Sequence, residues 1–253
     1  MSANPDRSSA RSKDSKSGTQ ATYERLRADL LACRLEPGER LSIADLTKAY
    51  GVSLGAVREA LSRLTAEGLV ELEPQKGFRA TPISAAELRD LTEARIAIEA
   101  LCIRRAFEVG GLEWETLVVG AFHQMSRTPR RRASDGLLNP DFRAAHRRFH
   151  EAVASACDNA WFLRLRGLLY AQAERYRVLS LGFEKTERDA LREHKRILDA
   201  VMTGDVERAL IAMSQHIQKT TETVLAGLDG LEPRPRPEAA ARRRRQRPVP
   251  ADT

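Results

Sequence analysis

The chain has 253 residues, of which 42% are hydrophobic and 30% are charged, and its formal net charge is +7. This length fits two domains of ordinary size, and the apolar runs are far shorter than the ~20 residues of a membrane-spanning helix. The polar N-terminus lacks the apolar segment of a secretory signal. Three widely spaced cysteines, Cys33, Cys102 and Cys157, argue against a disulfide framework or a cysteine-based zinc site. We therefore expect a cytoplasmic protein with no membrane partner.

The excess positive charge lies at the two ends of the chain. Residues 1–20 carry four basic and two acidic side chains, a net +2, and residues 231–253 carry seven basic and three acidic side chains, a net +4. Both segments are poor in core-forming residues, and prolines interrupt the second, so we expect residues 1–20 and 230–253 to be disordered. The C-terminal arginines are either simply solvated or a non-specific phosphate-binding arm.

Residues 21–83 show the pattern of a winged helix-turn-helix domain. Three helical patterns precede two short strands that flank a glycine-containing turn, and these segments cover residues 23–33, 43–50, 54–66, 69–73 and 78–81. Ser42 and Ser53 can cap the second and third helices, and Gly51 suits the left-handed residue that ends the second. Two helices joined by such a turn are typical of a helix-turn-helix, and the hairpin that follows supplies the wing.

The second helix of a helix-turn-helix presents its N-terminal residues to base edges in the major groove. Among these early residues, Arg58 is the one able to make bidentate contacts with guanine or phosphate. The full set of candidate DNA contacts is Arg40, Ser53, Arg58, Arg63, Lys76 and Gly77. A solvated basic face is the alternative, but the order of cap, turn, helix and wing favours DNA binding.

Residues 84–229 show no convincing strand pattern. They predict six helices, over residues 85–109, 113–127, 141–157, 160–181, 186–203 and 205–227. Short connections such as the one at residues 203–205 favour antiparallel neighbours, and therefore a bundle. The expected fold is mainly α: an N-terminal winged helix-turn-helix followed by an all-α helical bundle.

Two sets of motifs, in this order, resemble the GntR family of bacterial transcription regulators with a FadR-type (FCD) effector domain. The first set comprises Leu35 to Leu41, Tyr50 to Ser53, Val57 to Leu61, Leu64, and Glu67 to Val70. The second comprises Leu91 to Arg95 with Glu99, Phe149-His150, Glu193-His194, Gly204-Asp205 with Ala209, and His216. A single winged helix covers only one half-site, so we expect a two-fold dimer on a palindromic or near-palindromic operator. Leu54 and Gly55 replace the arginine and polar residue common after the capping serine, so the operator sequence does not carry over.

Four of the five histidines fall at inward or flanking positions of three helices in the second domain. These residues are His146, His150, His194 and His216. Such histidines can hydrogen-bond within a core, or they can converge on one cation. Neutral imidazoles suit Zn²⁺ or Ni²⁺, and bundle cores commonly hold metals. The resemblance implies a metal bound by one aspartate and three histidines, and here His146 stands at the position of the aspartate.

Arg95 occupies an inward position of the first bundle helix, where an apolar residue is expected. A buried guanidinium needs an acceptor, which could be Glu99 or Glu93 in a structural salt bridge. The alternative is a carboxylate ligand held between Arg95 and the metal, with Tyr176 or Arg177 as further donors. The resemblance implies a small organic acid effector, and a dicarboxylate suits this arrangement.

The leading hypothesis is therefore a homodimeric regulator, a repressor in our interpretation, that responds to an organic acid. A metal-dependent enzyme with the winged helix as an interaction module is the alternative. The segment from His146 to His150 superficially resembles the HExxH protease motif, but Arg147 stands where the general base is required. We accordingly expect no enzymatic activity. A nucleoid-type architectural protein driven by the basic tails is a third hypothesis.

Overall fold

The structure, a computed structural model, describes residues 7–134, 138–180 and 190–228. Nine helices occur in these ranges: α1 Arg7–Leu31, α2 Ile43–Tyr50, α3 Leu54–Ala66, α4 Ala85–Val109, α5 Leu112–Arg127, α6 Pro140–Ala154, α7 Ala160–Ser180, α8 Ala190–Met202 and α9 Val206–Leu228. Three strands accompany them: β1 Arg40–Leu41, β2 Val70–Glu73 and β3 Gly77–Ala80. Within these ranges, no helix is long and apolar enough to span a membrane. The mainly α fold with its two parts is confirmed.

The first part is the winged helix-turn-helix that the sequence predicts. The Ser42 and Ser53 hydroxyls accept hydrogen bonds from the backbone N–H groups of Asp45 and Ala56, at 3.3 and 3.2 Å. Gly51 ends α2 with a left-handed backbone, at φ 66°. Both predicted caps are therefore confirmed, and they satisfy N–H groups that the first turn of a helix leaves unpaired.

The wing is a three-stranded antiparallel sheet in the order β1-β3-β2. The hairpin of β2 and β3 follows the sequence prediction, whereas β1 does not, because two residues are too short to show an alternating pattern. β1 joins the sheet through the pairing of Leu41 with Phe78. Buried Leu41 thereby adds to a core formed by α1, α3 and the sheet, with Leu26 and Leu61 fully enclosed.

The second part is the helical bundle. α4 packs against α7 and α9, α5 against α6, and α8 against α9. A core that includes Ile103, Phe149 and Ile197 joins α4, α5, α6, α8 and α9. The bundle also contacts the winged domain, because α7 packs against α1.

Within the described residues, two boundaries differ from the predictions by more than two residues. α1 begins at Arg7, so part of the segment predicted to be disordered is helical: no proline or glycine interrupts residues 7–17. α6 ends at Ala154 rather than at residue 157, because the Asn159 side chain accepts hydrogen bonds from the backbone N–H groups of Trp161 and Phe162 and so starts α7. The predicted start of α8 at residue 186 and the tail over 230–253 lie outside the described residues.

Candidate metal centre and nucleic-acid interface

Four buried histidines meet in the centre of the bundle. His146 and His150 lie one turn apart on α6, His194 lies on α8 and His216 on α9, and one ring nitrogen of each lies within 4.8 Å of the others. The Nε2 atom of His150 is 3.3 Å from that of His146 and 3.2 Å from that of His194. The structure thus brings together all four histidines that the sequence singles out.

Hydrogen bonds at the back of two rings orient their nitrogens. The Nδ1–H of His194 donates to the Ala190 carbonyl, and the Nδ1–H of His216 donates to a Glu193 carboxylate oxygen at 3.0 Å. A neutral ring that donates through Nδ1 keeps a lone pair on Nε2. A carboxylate or carbonyl behind a histidine is the usual support of a metal ligand. Glu193 therefore has a positioning role that sequence reasoning missed, although its place beside His194 signals it.

Burial keeps the other two rings neutral. It lowers the pKa of His146 and that of His150 well below the usual value, and the neighbouring imidazoles lower both further. Neutral imidazole is the form that binds a metal. His150 Nδ1 is buried and makes no hydrogen bond within the described part of the chain.

The arrangement fits a cation. Lone pairs of several buried nitrogens face one another, and His150 Nε2 could donate to only one of its two close neighbours. The nitrogens of a tetrahedral zinc site would be about 3.3 Å apart, from Zn–N distances of about 2.0–2.1 Å. The separations of His150 Nε2 from the Nε2 atoms of His146 and His194 agree with this value. Imidazole nitrogen also suits the borderline transition metals better than calcium or magnesium.

A cleft leads from the surface of the bundle to this cluster. It encloses about 520 Å³, including space open to solvent, and Arg95, His146, Tyr170, Glu174 and His216 contribute to its lining. The guanidinium of Arg95 lies over the Tyr170 ring, 5.1 Å from its centroid. Its Nε is buried and makes no hydrogen bond within the described residues. The cleft therefore contains the Arg95 Nε–H group, which has no acceptor among the described residues, together with His146 and His216.

Neither predicted salt-bridge partner of Arg95 is found in this role. Glu99 instead pairs with Arg166, which approaches from α7 with Nε 2.8 Å from the carboxylate, and both side chains are buried. Glu93 lies on the exposed side of α4. Helical spacing alone allows Arg95 to pair with Glu99 or with Glu93. The packing of α7 against α4 instead brings Arg166 to Glu99.

The two other predicted effector contacts line the same cleft but are engaged by the protein. The Tyr176 hydroxyl donates to Glu87 at 2.6 Å and accepts from the Ser84 N–H at 3.3 Å, so it is tied to the start of α4. Arg177 donates to both oxygens of Glu174. Although burial opposes it, Arg177 and Arg143 hold the pKa of Glu174 below its usual value. Sequence reasoning missed Glu174 and Tyr170, which the cleft brings beside Arg95.

The predicted reading surface lies at the exposed start of α3. Arg58 is exposed and makes no hydrogen bond or ion pair with any described residue. The Ser53 hydroxyl accepts the capping hydrogen bond from the Ala56 N–H. Arg40, on β1, and Lys76 and Gly77, at the wing turn, are all exposed, and Gly77 has a φ of 87°. Their contacts with DNA remain predictions.

Arg63 is placed differently from the other candidates. Its guanidinium stacks on Tyr23, 3.8 Å from the ring centroid, and donates to the Gln20 side chain at 2.9 Å. Both partners belong to α1, so Arg63 holds α1 against α3. This arrangement does not favour the predicted phosphate contact, which no observation tests.

Comparison with known proteins agrees with both parts of the fold. Residues 19–79 match the bacterial regulatory proteins of the gntR family. Residues 90–219 match the FCD domain. The two matched segments correspond to the winged domain and the helical bundle.

Several curated relatives are regulators of transcription. The chain is 41% identical over 206 residues to the uncharacterized HTH-type transcriptional regulator BphR of Paraburkholderia xenovorans, which covers 81% of this chain and 84% of that protein. It is 34% identical over 202 residues to the HTH-type transcriptional repressor GlaR of Escherichia coli, and this match covers 77% of this chain and 90% of that protein.

Solved structures share the fold. Escherichia coli McbR/YncC superposes with a TM-score of 0.70 at 17% identity, covering 83% of this chain and 98% of that one. A GntR regulator from Rhodococcus superposes with a TM-score of 0.66 at 23% identity, covering 83% and 98%. Together with the two matched domains and the named relatives, these likenesses show that the chain belongs to the GntR family of bacterial transcription regulators with an FCD domain, and that it is a DNA-binding regulator and not an enzyme.

Proposed function

We propose that this regulator is a repressor whose affinity for its operator changes when a small organic acid binds at a metal ion in the helical domain. His146, His150, His194 and His216 hold the ion in this proposal, and Zn²⁺ or Ni²⁺ suits them best. The observation that carries it is the meeting of four buried imidazole nitrogens beside a cleft that contains Arg95.

The effector is a dicarboxylate in this proposal. Four histidines fill a tetrahedral zinc site, and a carboxylate oxygen can bind as a further ligand when the metal expands its coordination beyond four. Arg95 has an unsatisfied Nε–H in the same cleft, and guanidinium is well shaped to bind carboxylate. An acid with a carboxylate at each end would therefore satisfy both groups at once.

Binding in the cleft can reach the DNA-binding half through α7. Ala173, Glu174, Tyr176 and Arg177 line the cleft, while Gln172 and Arg175 of the same helix hydrogen-bond backbone carbonyls of the winged domain, those of Glu67 and Thr81. A ligand changes DNA affinity only if it binds two arrangements of the domains unequally. α7 therefore contacts both the cleft and the winged domain.

The proposed regulator is a homodimer on a palindromic operator in the cytoplasm. One winged domain covers one half-site, and paired half-sites match a two-fold dimer. An exposed apolar stripe on α7, formed by Trp161, Leu165 and Leu168, supports a second copy as its partner. The names of relatives such as GlaR support the repressor role.

Metal analysis and calorimetry test the proposal. Untagged protein should contain about one metal per chain by elemental analysis, and His194→Ala should remove it, whereas His123→Ala, an exposed histidine outside the cluster, should not. Glutarate should bind the metal-loaded protein and fail to bind Arg95→Ala or chelator-treated protein. Full glutarate affinity in metal-free protein would show that the histidines take no part in sensing.

A further inference from the structure

A second, larger cleft lies between the winged domain and the bundle. It encloses about 850 Å³, including space open to solvent. α1 contributes Arg27 and Leu31, α6 contributes Arg143 and Arg147 among others, and α7 contributes the floor from Arg166 to Glu174. Tyr170 and Glu174 line this cleft and the histidine cleft alike, so the two spaces share a wall.

The charge of the cleft favours an anion. Four arginines line it against two glutamates, and three of the arginines also pair with carboxylates: Arg27 with Glu67, Arg143 with Glu174 and Arg147 with Glu151. Arg166 is the most enclosed of the four, at 6% exposed, and it binds Glu99 through Nε and the His150 carbonyl through Nη2, at 2.6 Å. Within the described residues its Nη1 makes no hydrogen bond. A buried guanidinium with free donors is a strong binding group for carboxylate or sulfonate.

The remaining lining is apolar or open. Leu31, Pro140, Ala144 and Ala171 supply aliphatic surface between the arginines. Gly167 lies on the floor, and a Cβ atom at this position would meet no other atom within 4 Å. Apolar walls combined with a few polar groups are typical of a small-molecule site.

We infer that this cleft is a second ligand site, for an organic anion with an apolar body, such as an aromatic sulfonate or carboxylate. The anionic group binds Arg166 and Arg147, and the apolar body packs on Leu31 and the floor at Gly167. The ligand touches α1 of the winged domain and, through Arg166, the backbone of His150. A ligand bound in this cleft therefore affects the position of the winged domain relative to the bundle.

The fluorescent anion 8-anilinonaphthalene-1-sulfonate is a probe of this chemistry, because it combines a sulfonate with two aromatic systems. Its fluorescence should rise saturably with the full-length protein, and Gly167→Phe, which fills the floor, should abolish that saturable signal. Gly120→Phe is the matched control: Gly120 is also a helical glycine with open space around it, on α5, outside the cleft. It should keep the signal.

A second pair of variants tests the charge without placing bulk in the cleft. Arg147→Gln should weaken probe binding, whereas Arg148→Gln, its exposed neighbour outside the cleft, changes the net charge equally and should not. Arg95→Gln, in the histidine cleft, should also leave the signal intact. An unchanged signal in both Gly167→Phe and Arg147→Gln, or a signal lost only in Arg95→Gln, would overturn the inference.

Discussion

Arg58 illustrates how local sequence places a functional group. Ser53 caps α3, which begins at Leu54, and Arg58 lies on the second turn of this helix. Val57, Ala60 and Leu61 are buried, so Arg58 faces solvent. Its guanidinium is not committed to any described residue, and it is therefore available for a base edge or a phosphate.

Replacing Arg58 by alanine should remove the specific part of operator binding and leave the fold intact. We expect a loss of about 1–3 kcal/mol, the value of a bidentate contact with a base. Titration against an operator fragment and random DNA measures the difference, with Arg63→Ala as comparison because that guanidinium is held by α1. Equal discrimination between the two DNAs in Arg58→Ala and the unaltered protein would contradict the assignment.

The residues of the histidine site were predictable to different degrees. Helical spacing alone identifies the four histidines as members of one interior, because each shares a face with apolar neighbours. It does not identify Glu193 as the partner of His216, which lies 23 positions later in the chain. The pairing of Glu99 with Arg166 spans 67 positions and replaces the local partner proposed for Arg95.

At the level of elements, α7 takes part in three different surfaces of the molecule. One part of it lines the histidine cleft, another contacts α1, and a third carries exposed apolar residues at positions 161, 165 and 168. This spacing of four and three residues places the apolar side chains on one stripe. Exposed Leu101 lies on α4, which packs against α7. An exposed apolar face of this kind marks an interaction surface.

Leu165→Glu should convert the proposed dimer into a monomer, because a carboxylate would be buried without a partner in the interface. Static light scattering should show the mass falling by half at micromolar concentration. Leu117→Glu is the control, since Leu117 is even more exposed, at 59% against 42%, but lies on α5. A mass that stays the same in Leu165→Glu, or that falls equally in both variants, would place the interface elsewhere.

At the scale of the whole molecule, the two domains are joined by more than the chain between them. The Gln172 side chain donates to the Glu67 carbonyl at 2.6 Å, just after α3, and accepts from Arg175 at 3.1 Å. Arg175 also donates to the Thr81 carbonyl at the end of the wing. These contacts fix the bundle to both ends of the β2–β3 hairpin, the first of them directly after α3.

Gln172→Ala should lower the free energy of unfolding by about 1 kcal/mol or more, because the variant loses the hydrogen bond to the Glu67 carbonyl and leaves the Nη1 group of Arg175 without its acceptor. Urea unfolding followed by circular dichroism measures the change. Gln218→Ala, an exposed glutamine on α9, should stay within about 0.5 kcal/mol of the unaltered protein. Equal stability of both variants would show that the junction contributes little to holding the domains together.

The sequence by itself determined the features that depend on neighbours within one or two turns. These are the serine caps of α2 and α3, the glycine that ends α2, the extent of α4 and the inward positions of the four histidines. Each is decided by a backbone preference or by apolar periodicity over a few residues. The order of such features, together with the motifs, was also enough to indicate the family.

Only the tertiary structure decided which distant groups meet. β1 is a strand because β3 pairs with it, Glu99 binds Arg166 because α7 packs on α4, and Tyr176 is tied to Ser84 at the start of α4. The second cleft exists because α1 lies against α7. These contacts join residues far apart in the chain, so their energies depend on packing between elements, and no local pattern of residues encodes them.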